Sequence, residues 1–297
     1  MALKAEFSMK PEKIAILANA ASRTLDRPTL EAAAAHVNRF LPCEIVYTTS
    51  IENAGQTAAT LSAQSECLVA ACGGDGTIHT IQNHLAPGAI LGIIPAGTAN
   101  VIARELGIPA SMRDAAKLLL TGAVQRADLG VCNNRRFIFV AGIGFDAEVA
   151  ATVPPLLKKL FGRYAYHLTG LHHFLGYTPP ELKITANGTT HKGRFAIIAN
   201  MRRYGGELFF APEARYDDGQ LDMILVNDFS TRTMLRILSF AKGHSPFPAS
   251  GVTRVTASEF KISSSLPVPY ELDGEVFAAT SEFSISVEAG AARFITT

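Results

Sequence analysis

The chain has 297 residues, with 27 Lys plus Arg against 26 Asp plus Glu, so its formal charge is +1. This length predicts one large domain or two ordinary ones. Hydrophobic residues make up 48% and charged residues 18%, which excludes a disordered or fibrous chain. The near-balance of charge argues against binding to nucleic acid by bulk electrostatics.

The N-terminal segment has no apolar core of the kind that a secretory signal requires, and it carries Glu6 and Glu12. No apolar run reaches the ~18 residues of a membrane-spanning helix. We therefore expect a cytoplasmic protein, for which any membrane contact is peripheral. The cysteines lack metal-ligand spacing and are interpreted as small core residues. They are Cys43, Cys67, Cys72 and Cys132.

Predicted strands and helices alternate in the first 120 or so residues. The strand signals are Lys13–Ala18, Glu44–Thr48, Cys67–Cys72 and Ala89–Ile94, and the helix signals are Thr29–Phe40, Gly55–Gln64, Thr98–Leu106 and Arg113–Leu120. Near-continuous apolar strands separated by helices predict a parallel sheet covered by helices on both faces. Ligands in this architecture bind at the carboxyl ends of the strands.

From about Val124 onward, short apolar runs are separated by turn residues. The predicted strands are 136–141, 182–186, 195–200, 221–226, 260–263 and 283–287, and the strongest turn dipeptides are Asn187-Gly188, Asp218-Gly219 and Asp273-Gly274. This pattern predicts a mainly β domain built of packed sheets. Two helices interrupt it, Leu156–Leu175 and Thr231–Phe240, the second with Ser230 as its N-cap.

A glycine-rich turn, Gly73-Gly74-Asp75-Gly76-Thr77, directly follows the predicted strand 67–72 and precedes a helix that should begin near Thr77. Glycines let backbone N–H groups and a helix N-terminus approach a phosphate closely. Asp75 would repel a bare phosphate, which suggests a magnesium-bridged nucleotide or a contact to ribose. The alternative is a purely structural turn, since Gly and Asp are the usual turn residues.

A second glycine loop, Pro95-Ala96-Gly97-Thr98-Ala99-Asn100, follows the next apolar strand. Two such loops after neighbouring parallel strands would form opposite walls of one crevice. Together they favour a nucleotide site over two independent turns.

The order of motifs resembles that of the diacylglycerol kinase catalytic-domain family, in particular its bacterial soluble lipid kinases. The matching segments are Gly73–Thr77, Pro95–Asn100, Asp128–Gly130, Gly142–Asp146, Tyr216–Gly219 and Leu272–Glu275. The first motif alone is also found in NAD kinases and phosphofructokinases. The resemblance implies an α/β nucleotide-binding domain of that type over residues 1–128, to which the C-terminal residues could return, and a β-rich lipid-substrate domain over 129–297.

The resemblance also implies an ATP- and magnesium-dependent lipid kinase with its active site in the cleft between the two domains. ATP would bind to Gly73, Gly74, Asp75, Gly76, Thr77, Gly97 and Thr98, together with Asn19 and either Thr48 or Thr49. A structural magnesium would bind to the Asp218 carboxylate and to main-chain oxygens near Arg215 and Gln220. Glu275 matches the family's general base, which would accept a proton from the lipid hydroxyl.

Some positions depart from the family pattern. His79 and Thr80 stand where members often have Asn and Glu, and Val101 stands where many have Asp. Asp75 and Asp128 remain as candidates for the carboxylate network around a catalytic magnesium. Two alternatives therefore stay open: an NAD kinase-like enzyme, against which the loop at 95–100 and the turn at 273–275 argue, and a catalytically weak nucleotide-binding regulator.

The predicted helix Leu156–Leu175 carries Lys158, Lys159 and Arg163 among apolar and aromatic residues. Such a helix could lie on an anionic membrane surface, or it could cover the core with a solvated basic edge. The sequence is compatible with a homodimer and does not identify the lipid.

Overall fold

A computed structural model of the chain describes residues 11–20, 22, 24–64, 66–152, 179–248 and 250–297. The chain divides into two compact units. Unit 1 comprises Met1–Ala127 and Gly290–Thr297, and unit 2 comprises Asp128–Ala289. The predicted helix at 156–175, with its membrane-facing interpretation, lies outside the described residues.

Unit 1 alternates strands and helices. Its elements are β1 (Lys13–Asn19), α1 (Arg27–Val37), β2 (Cys43–Thr48), α2 (Ile51–Ser62), β3 (Cys67–Gly73), α3 (Asp75–His84), β4 (Leu91–Pro95), α4 (Val101–Glu105) and α5 (Met112–Thr121). The strands lie in the order β2-β1-β3-β4 and are all parallel. At the end of the chain, Phe294 pairs in parallel with Leu91 of β4. The predicted parallel α/β domain is confirmed.

The register brings the carboxyl ends of these strands to one edge of the sheet. Asn19 at the end of β1 pairs with Thr48 at the end of β2, and Gly73 of β3 pairs with Pro95 of β4. β3 is buried along almost its whole length, as expected for a strand covered on both faces. The polar segments that follow each strand therefore share this edge.

The helix starts in unit 1 are set by caps, which moves several of them from their predicted positions. Asp26 accepts a hydrogen bond from Thr29 N, so α1 begins at Arg27. Ser50 caps α2 in the same way, and the helix starts at Ile51 rather than at Gly55. Gly55 lies inside α2, where a Cβ would come within 2.8 Å of the His84 ring, so glycine permits close packing of α2 against α3.

Unit 2 is mainly β, as predicted. Its elements are β6 (Arg135–Phe137), β7 (Val140–Ile143), α6 (Phe145–Thr152), β8 (Leu182–Ala186), β9 (Thr189–Gly193), β10 (Phe195–Ala199), β11 (Leu221–Val226), α7 (Thr231–Ala241), β12 (Val252–Ala257) and β13 (Glu259–Leu272). The chain passes between the units within β5 (Ala123–Cys132) and again within β14 (Glu275–Thr296).

The strand pairs in unit 2 are antiparallel, in the order β12-β11-β10-β7-β13-β14, with β8 also on β13. Their buried side chains form one core that includes Phe137, Phe260 and Phe283. Asn187-Gly188 and Asp273-Gly274 each have two positive φ angles, which is the backbone of a type I′ hairpin turn, so these two turn predictions are confirmed. Ser230 caps α7 as expected.

Several strands in unit 2 differ from the prediction. The predicted run 136–141 is broken into β6 and β7, and the runs at 260–263 and 283–287 are parts of the much longer β13 and β14. β13 contains a register shift between Ser263 and Val268, which interrupts its alternation of buried and exposed residues. That interruption hid most of the strand from a pattern search.

The cysteines lie in unit 1 and at the start of unit 2 as free thiols. Cys72 and Cys132 are buried, and burial raises the pKa of each to about 12. Cys43 is half-buried, and its pKa is raised to about 11 by burial and by the charge of Glu44. Cys72 and Cys132 are core residues, as predicted, whereas Cys43 and Cys67 are only partly buried. Within the described residues, no helix is long and apolar enough to cross a membrane.

Candidate functional site

Two glycine loops meet at the carboxyl edge of the unit 1 sheet. A Cβ at Gly97 would lie 2.5 Å from Cα of Gly74, a distance that real Cβ atoms do not reach. The Ala96 N–H donates to the Gly73 carbonyl at 2.9 Å, which also ties the second loop to the first. The sequence prediction that these loops are neighbours is correct, and glycine is required because the two backbones touch.

The first loop ends at the N-terminus of α3, which begins at Asp75, two residues earlier than predicted. Its N-cap is Gly74, which has no side chain to accept from the first N–H groups of the helix. A Cβ at Gly76 would meet nothing within 4 Å, so the backbone there faces open space. A helix N-terminus that has no side-chain cap and lies beside open space forms a cradle that suits an anion.

The second loop is held by Asn100, a non-glycine residue with a positive φ of 48°. Its side chain accepts from Gly97 N and donates to Gly97 O, each at 2.9 Å. The left-handed backbone at Asn100 delays the start of α4 to Val101, which corrects the predicted helix 98–106. Thr98 at the tip of this loop is exposed. The loop is thus fixed in shape while its threonine stays accessible.

Asp75 has a structural partner that the sequence did not reveal. Its Oδ1 accepts a hydrogen bond of 3.0 Å from the N–H of Ile102, in the first turn of α4. This bond joins the start of α3 to the start of α4, next to Val101, where many relatives of the motif have Asp. At least one carboxylate oxygen of Asp75 therefore stabilises the loops.

The ends of β1 and β2 reach the same edge and bring Asn19, Thr48 and Thr49 to it. Thr48 is only 1% exposed, and its hydroxyl lies 3.4 Å from the Ala18 carbonyl. Thr49 is exposed, and its backbone N–H donates to Asn53 Oδ1 at 3.1 Å. The two threonines that the sequence left equivalent thus differ sharply in accessibility.

His79 and Thr80 occupy buried positions on α3. His79 Nε2 lies 3.0 Å from Asn83 Nδ2, and the Thr80 carbonyl lies 2.8 Å from His84 Nδ1. These departures from the family pattern are built into the packing of α3.

In unit 2, the turn that contains Glu275 is fixed by its neighbour Asp273. The Asp273 carboxylate is 8% exposed and accepts three backbone hydrogen bonds, from Ile138 N at 2.6 Å, Phe139 N at 2.9 Å and Val140 N at 3.0 Å. These amides turn toward the carboxylate, which is why the predicted strand 136–141 is broken there. Asp273 thus connects the β6–β7 junction to the β13–β14 hairpin.

Glu271 supports the same turn from the other side. It is 3% exposed, and its Oε2 accepts a hydrogen bond of 2.6 Å from Gly274 N. Glu275, the first residue of β14, pairs with Leu272 across the hairpin and is exposed. Two buried carboxylates therefore hold a turn that presents a third carboxylate to solvent.

A second acidic group in unit 2 surrounds the Asp217-Asp218-Gly219 turn. Asp128 is 3% exposed and accepts from Gly219 N at 2.7 Å, while Asp218 Oδ1 accepts from Gln220 N at 3.0 Å. Partial burial raises the pKa of Asp218, and the negative charges of Asp222 and Asp128 raise it further. Negative charge is concentrated at this turn.

Asp222 differs from Asp218 because a cation already offsets its charge. Arg254 Nη2 lies 3.0 Å from Asp222 Oδ1, and the Thr256 hydroxyl donates to the same oxygen at 2.7 Å. In the described part of the chain, no group of three or more His, Cys, Asp or Glu side chains is placed to hold a metal. The predicted site uses one carboxylate and main-chain oxygens, so Asp218 is its only charged ligand.

Comparison with known families covers nearly the whole chain. The family described as "Diacylglycerol kinase catalytic domain" matches residues 13–132, and the "YegS C-terminal NAD kinase beta sandwich-like domain" matches residues 140–296. A protein named "Diacylglycerol kinase" from Bacillus subtilis is 31% identical over 214 residues, which are 70% of this chain and 71% of that protein. The chain belongs to the diacylglycerol kinase catalytic-domain family.

A second relative in this family is a protein from Pseudomonas aeruginosa named "Probable lipid kinase YegS-like". It is 34% identical over 226 residues, which are 74% of each chain. The family resemblance inferred from the ordered motifs is confirmed, and with it the assignment of the chain to lipid kinases.

Solved structures show the same fold. A diacylglycerol kinase from Bacillus anthracis has a TM-score of 0.74 at 24% identity, covering 97% of this chain and 98% of that one. An NAD kinase from Archaeoglobus fulgidus in complex with ATP has a TM-score of 0.53 at 13% identity, covering 96% and 93%. The expected likeness of the fold to NAD kinases is confirmed.

The structural roles of Asp273, Asn100 and Glu271 were missed at the sequence level. A signal for Asp273 was present, because an Asp-Gly turn leaves its carboxylate beside backbone N–H groups. Its three donors come from residues more than 130 positions away, however, and only the folded chain brings them there.

We expect Asp273→Asn to destabilise the protein by about 2–4 kcal/mol, because a neutral amide replaces a buried anion that accepts three hydrogen bonds. Asparagine tolerates the positive φ at this position, so the turn itself is not strained by the change. Urea unfolding monitored by circular dichroism measures the loss. Asp217→Asn, in an exposed turn, is the control and should stay within about 0.5 kcal/mol. Equal effects of the two substitutions would contradict the assigned role.

Proposed function

We propose that this protein transfers the γ-phosphate of ATP to a hydroxyl group of a diacylglycerol-like lipid. The observation that carries the proposal is the contact between the Gly74 and Gly97 loops beside the open N-terminus of α3, in a chain of the lipid kinase family. A backbone cradle of this kind suits phosphates, and membership of the lipid kinase family supports a lipid as the acceptor. The ATP named in the related NAD kinase structure also supports a nucleotide at this fold.

In this proposal unit 1 binds the nucleotide. The residues that would hold ATP are Gly73, Gly74, Asp75, Gly76, Thr77, Gly97, Thr98, Asn19 and Thr49. The open space at Gly76 leaves room for a phosphate next to the N-terminus of α3, whose partial positive charge favours an anion. The Asp75 carboxylate would lie beside the phosphates, while its Oδ1 keeps α4 in position by accepting from Ile102 N.

Thr49 is the threonine that we assign to the nucleotide. Its side chain is exposed at the shared edge of the sheet, whereas the Thr48 hydroxyl is buried against the Ala18 carbonyl. A hydroxyl that already faces the strand interior cannot also reach a ligand at the edge.

Unit 2 would bind the lipid and supply the base. Glu275 would accept the proton of the lipid hydroxyl as the oxygen attacks the γ-phosphorus. A new P–O bond then forms to the lipid while the bond to the β,γ-bridging oxygen breaks, and ADP leaves with that electron pair. The turn held by Asp273 and Glu271 would keep the carboxylate of Glu275 in a constant position.

Mg²⁺ fits the Asp218 turn, because hard cations prefer carboxylate and carbonyl oxygens and this turn carries excess negative charge. The Asp218 carboxylate with main-chain oxygens near Arg215 and Gln220 would hold it. Its contribution there would be structural, since it would offset the negative charge of Asp218 and the neighbouring Asp128.

A phosphate-transfer assay distinguishes the proposed function from two alternatives. An NAD kinase-like enzyme would phosphorylate NAD rather than a lipid, and a nucleotide-binding regulator would bind ATP without transferring phosphate. The buried His79 and Thr80 are the observation that favours the regulator, since they replace an amide and a carboxylate of the family motif.

We expect the purified protein to transfer labelled phosphate from ATP to at least one lipid of a diacylglycerol-centred panel, but not to NAD. Glu275→Gln should lower kcat by about 100- to 10,000-fold, because it removes the general base. Glu259→Gln is the matched control, since Glu259 is likewise an exposed first residue of a long strand. Transfer that survives Glu275→Gln refutes the assigned base, and ATP binding without any turnover favours the regulator.

The two threonines can be separated by parallel substitution. Thr49→Val should raise the KM for ATP several-fold, with little change in the melting temperature, because it removes an exposed hydroxyl. Thr48→Val should lower the free energy of unfolding by about 1 kcal/mol, with little change in the KM for ATP, because it removes a buried hydrogen bond. Steady-state kinetics and thermal unfolding of both variants measure this, and the reverse pattern would assign Thr48 instead.

Asp218→Asn should have opposite effects on thermal stability with and without Mg²⁺. The pKa of Asp218 is raised by folding, so its ionised form opposes folding once the pH rises through that folded value. In a chelator at neutral pH, Asp218→Asn should therefore raise the melting temperature. With saturating Mg²⁺, the parent protein should gain about 2–3 kcal/mol at 100 times the dissociation constant, and the variant should gain much less. Equal Mg²⁺ stabilisation of parent and variant would remove Asp218 from the site.

A further inference from the structure

The outer face of α7 carries exposed and half-buried aliphatic side chains. Its inner face is buried through Thr233, Ile237 and Ala241. On the opposite side Leu235 is 63% exposed, one of the most exposed large apolar side chains in the described residues. Met234 and Leu238 flank it and are half-buried, so the outward surface carries an aliphatic strip.

A basic strip runs beside the aliphatic one. Arg232 and Arg236 are exposed and four residues apart, so they lie on the same side of the helix, next to Leu235. Lys242 follows at the C-terminal end and is also exposed. Among the described residues, no ion pair joins Arg232 or Arg236 to an acidic side chain.

The charge on this surface has one sign. Residues 229–250 contain three Lys or Arg and no Asp or Glu. The carboxylate that is nearest in the sequence, Asp228, lies just before the helix and accepts hydrogen bonds from Ser230 Oγ at 2.6 Å and Thr233 Oγ1 at 2.9 Å. It therefore serves as part of the helix cap rather than as a partner for the arginines.

We propose that the outer face of α7 docks in the plane of an anionic lipid surface. Aliphatic side chains beside cationic ones are the arrangement by which an amphipathic helix lies at a membrane interface, with the apolar strip inserted and the basic strip against the headgroups. The inference rests on the proposed function in one respect, since a lipid acceptor is presented at such a surface. It concerns α7, in the described part of unit 2, and not the predicted helix at 156–175.

Charge favours a lipid surface over a second copy of the chain. A symmetric dimer through this face would bring Arg232 and Arg236 close to the same arginines of the other copy, which is unfavourable without intervening anions. An anionic bilayer supplies those anions and an apolar interior together.

Vesicle flotation of the full chain, without ATP or diacylglycerol, tests the proposal. The parent protein should float with vesicles of phosphatidylcholine and phosphatidylglycerol, but not with phosphatidylcholine alone, and high salt should release it. Arg232→Glu/Arg236→Glu should weaken binding by at least about tenfold. Leu235→Ser should also weaken it by about tenfold, because it removes the inserted apolar side chain.

The chain offers matched controls for both changes. Lys183→Glu/Lys192→Glu alters the net charge by the same amount on the exposed β8–β9 hairpin, where these two lysines lie opposite each other. Leu266→Ser removes a leucine that is 62% exposed, against 63% for Leu235. Both control variants should bind vesicles within about twofold of the parent, since each leaves the α7 face intact. Circular dichroism checks that all four variants are folded.

Three results would overturn the proposal. The first is failure of the parent protein to bind anionic vesicles, and the second is a control variant that weakens binding as much as the α7 variants do. The third is a dimer, detected by analytical ultracentrifugation, that Leu235→Ser dissociates, because this would make the face a contact between two copies of the chain. Phosphate transfer to lipid in neutral detergent micelles separates this inference from the proposed function. Arg232→Glu/Arg236→Glu should keep the parent rate there, whereas absence of transfer by the parent protein would count against the function alone.

Discussion

Direct contact between two backbones, at Gly74 and Gly97, is the constraint on which the carboxyl edge of the unit 1 sheet depends. A Cβ at Gly97 would lie 2.5 Å from Cα of Gly74, and one at Gly74 would lie 3.2 Å from Cα of Gly97, so a side chain at either position would push the loops apart. The contact brings the N-terminus of α3 and the tip of the second loop together. Hydrogen bonds then preserve this contact. The Asn100 side chain bonds to both N and O of Gly97, and the Asp75 carboxylate joins the start of α3 to the start of α4. The cradle is thus a property of backbone packing, and the side chains around it serve mainly to keep the backbones in place.

The carboxylates of the sequence motifs divide into two kinds. Asp75, Asp128, Asp273 and Glu271 each accept hydrogen bonds from backbone N–H groups and so stabilise loops. Glu275 and Asp218 are presented to solvent at turns that those residues hold in place. A motif such as Leu272-Asp273-Gly274-Glu275 therefore combines a buried structural acid with an exposed one available for chemistry. Burial and the source of the hydrogen bonds distinguish the two, whereas residue type does not.

Local sequence rules predicted much of the fold because they depend on neighbours in the chain. The buried parallel strands β1 and β3, the caps at Ser230 and the two-residue turns at Asn187 and Asp273 follow from short-range preferences. The errors arise where distant contacts override them. Helix α2 includes Gly55 because α3 packs against it, and the strand predicted at 136–141 breaks because the Asp273 carboxylate draws its amides away. Strands β5, β9 and β12 are too polar to have been recognised from hydrophobic pattern.

The sequence by itself determined the family, the class of each domain and the identity of the two glycine loops, because ordered motifs and apolar periodicity survive in the primary structure. Only the tertiary structure decided which chemically similar residues are accessible: Thr49 and not Thr48, and Glu275 and not Glu271 or Asp273. It also showed that Leu235 is exposed beside the arginines of α7, where the sequence shows only an ordinary amphipathic helix. The physical reason is that burial is set by what packs against a residue from elsewhere in the chain, and no local pattern contains that information.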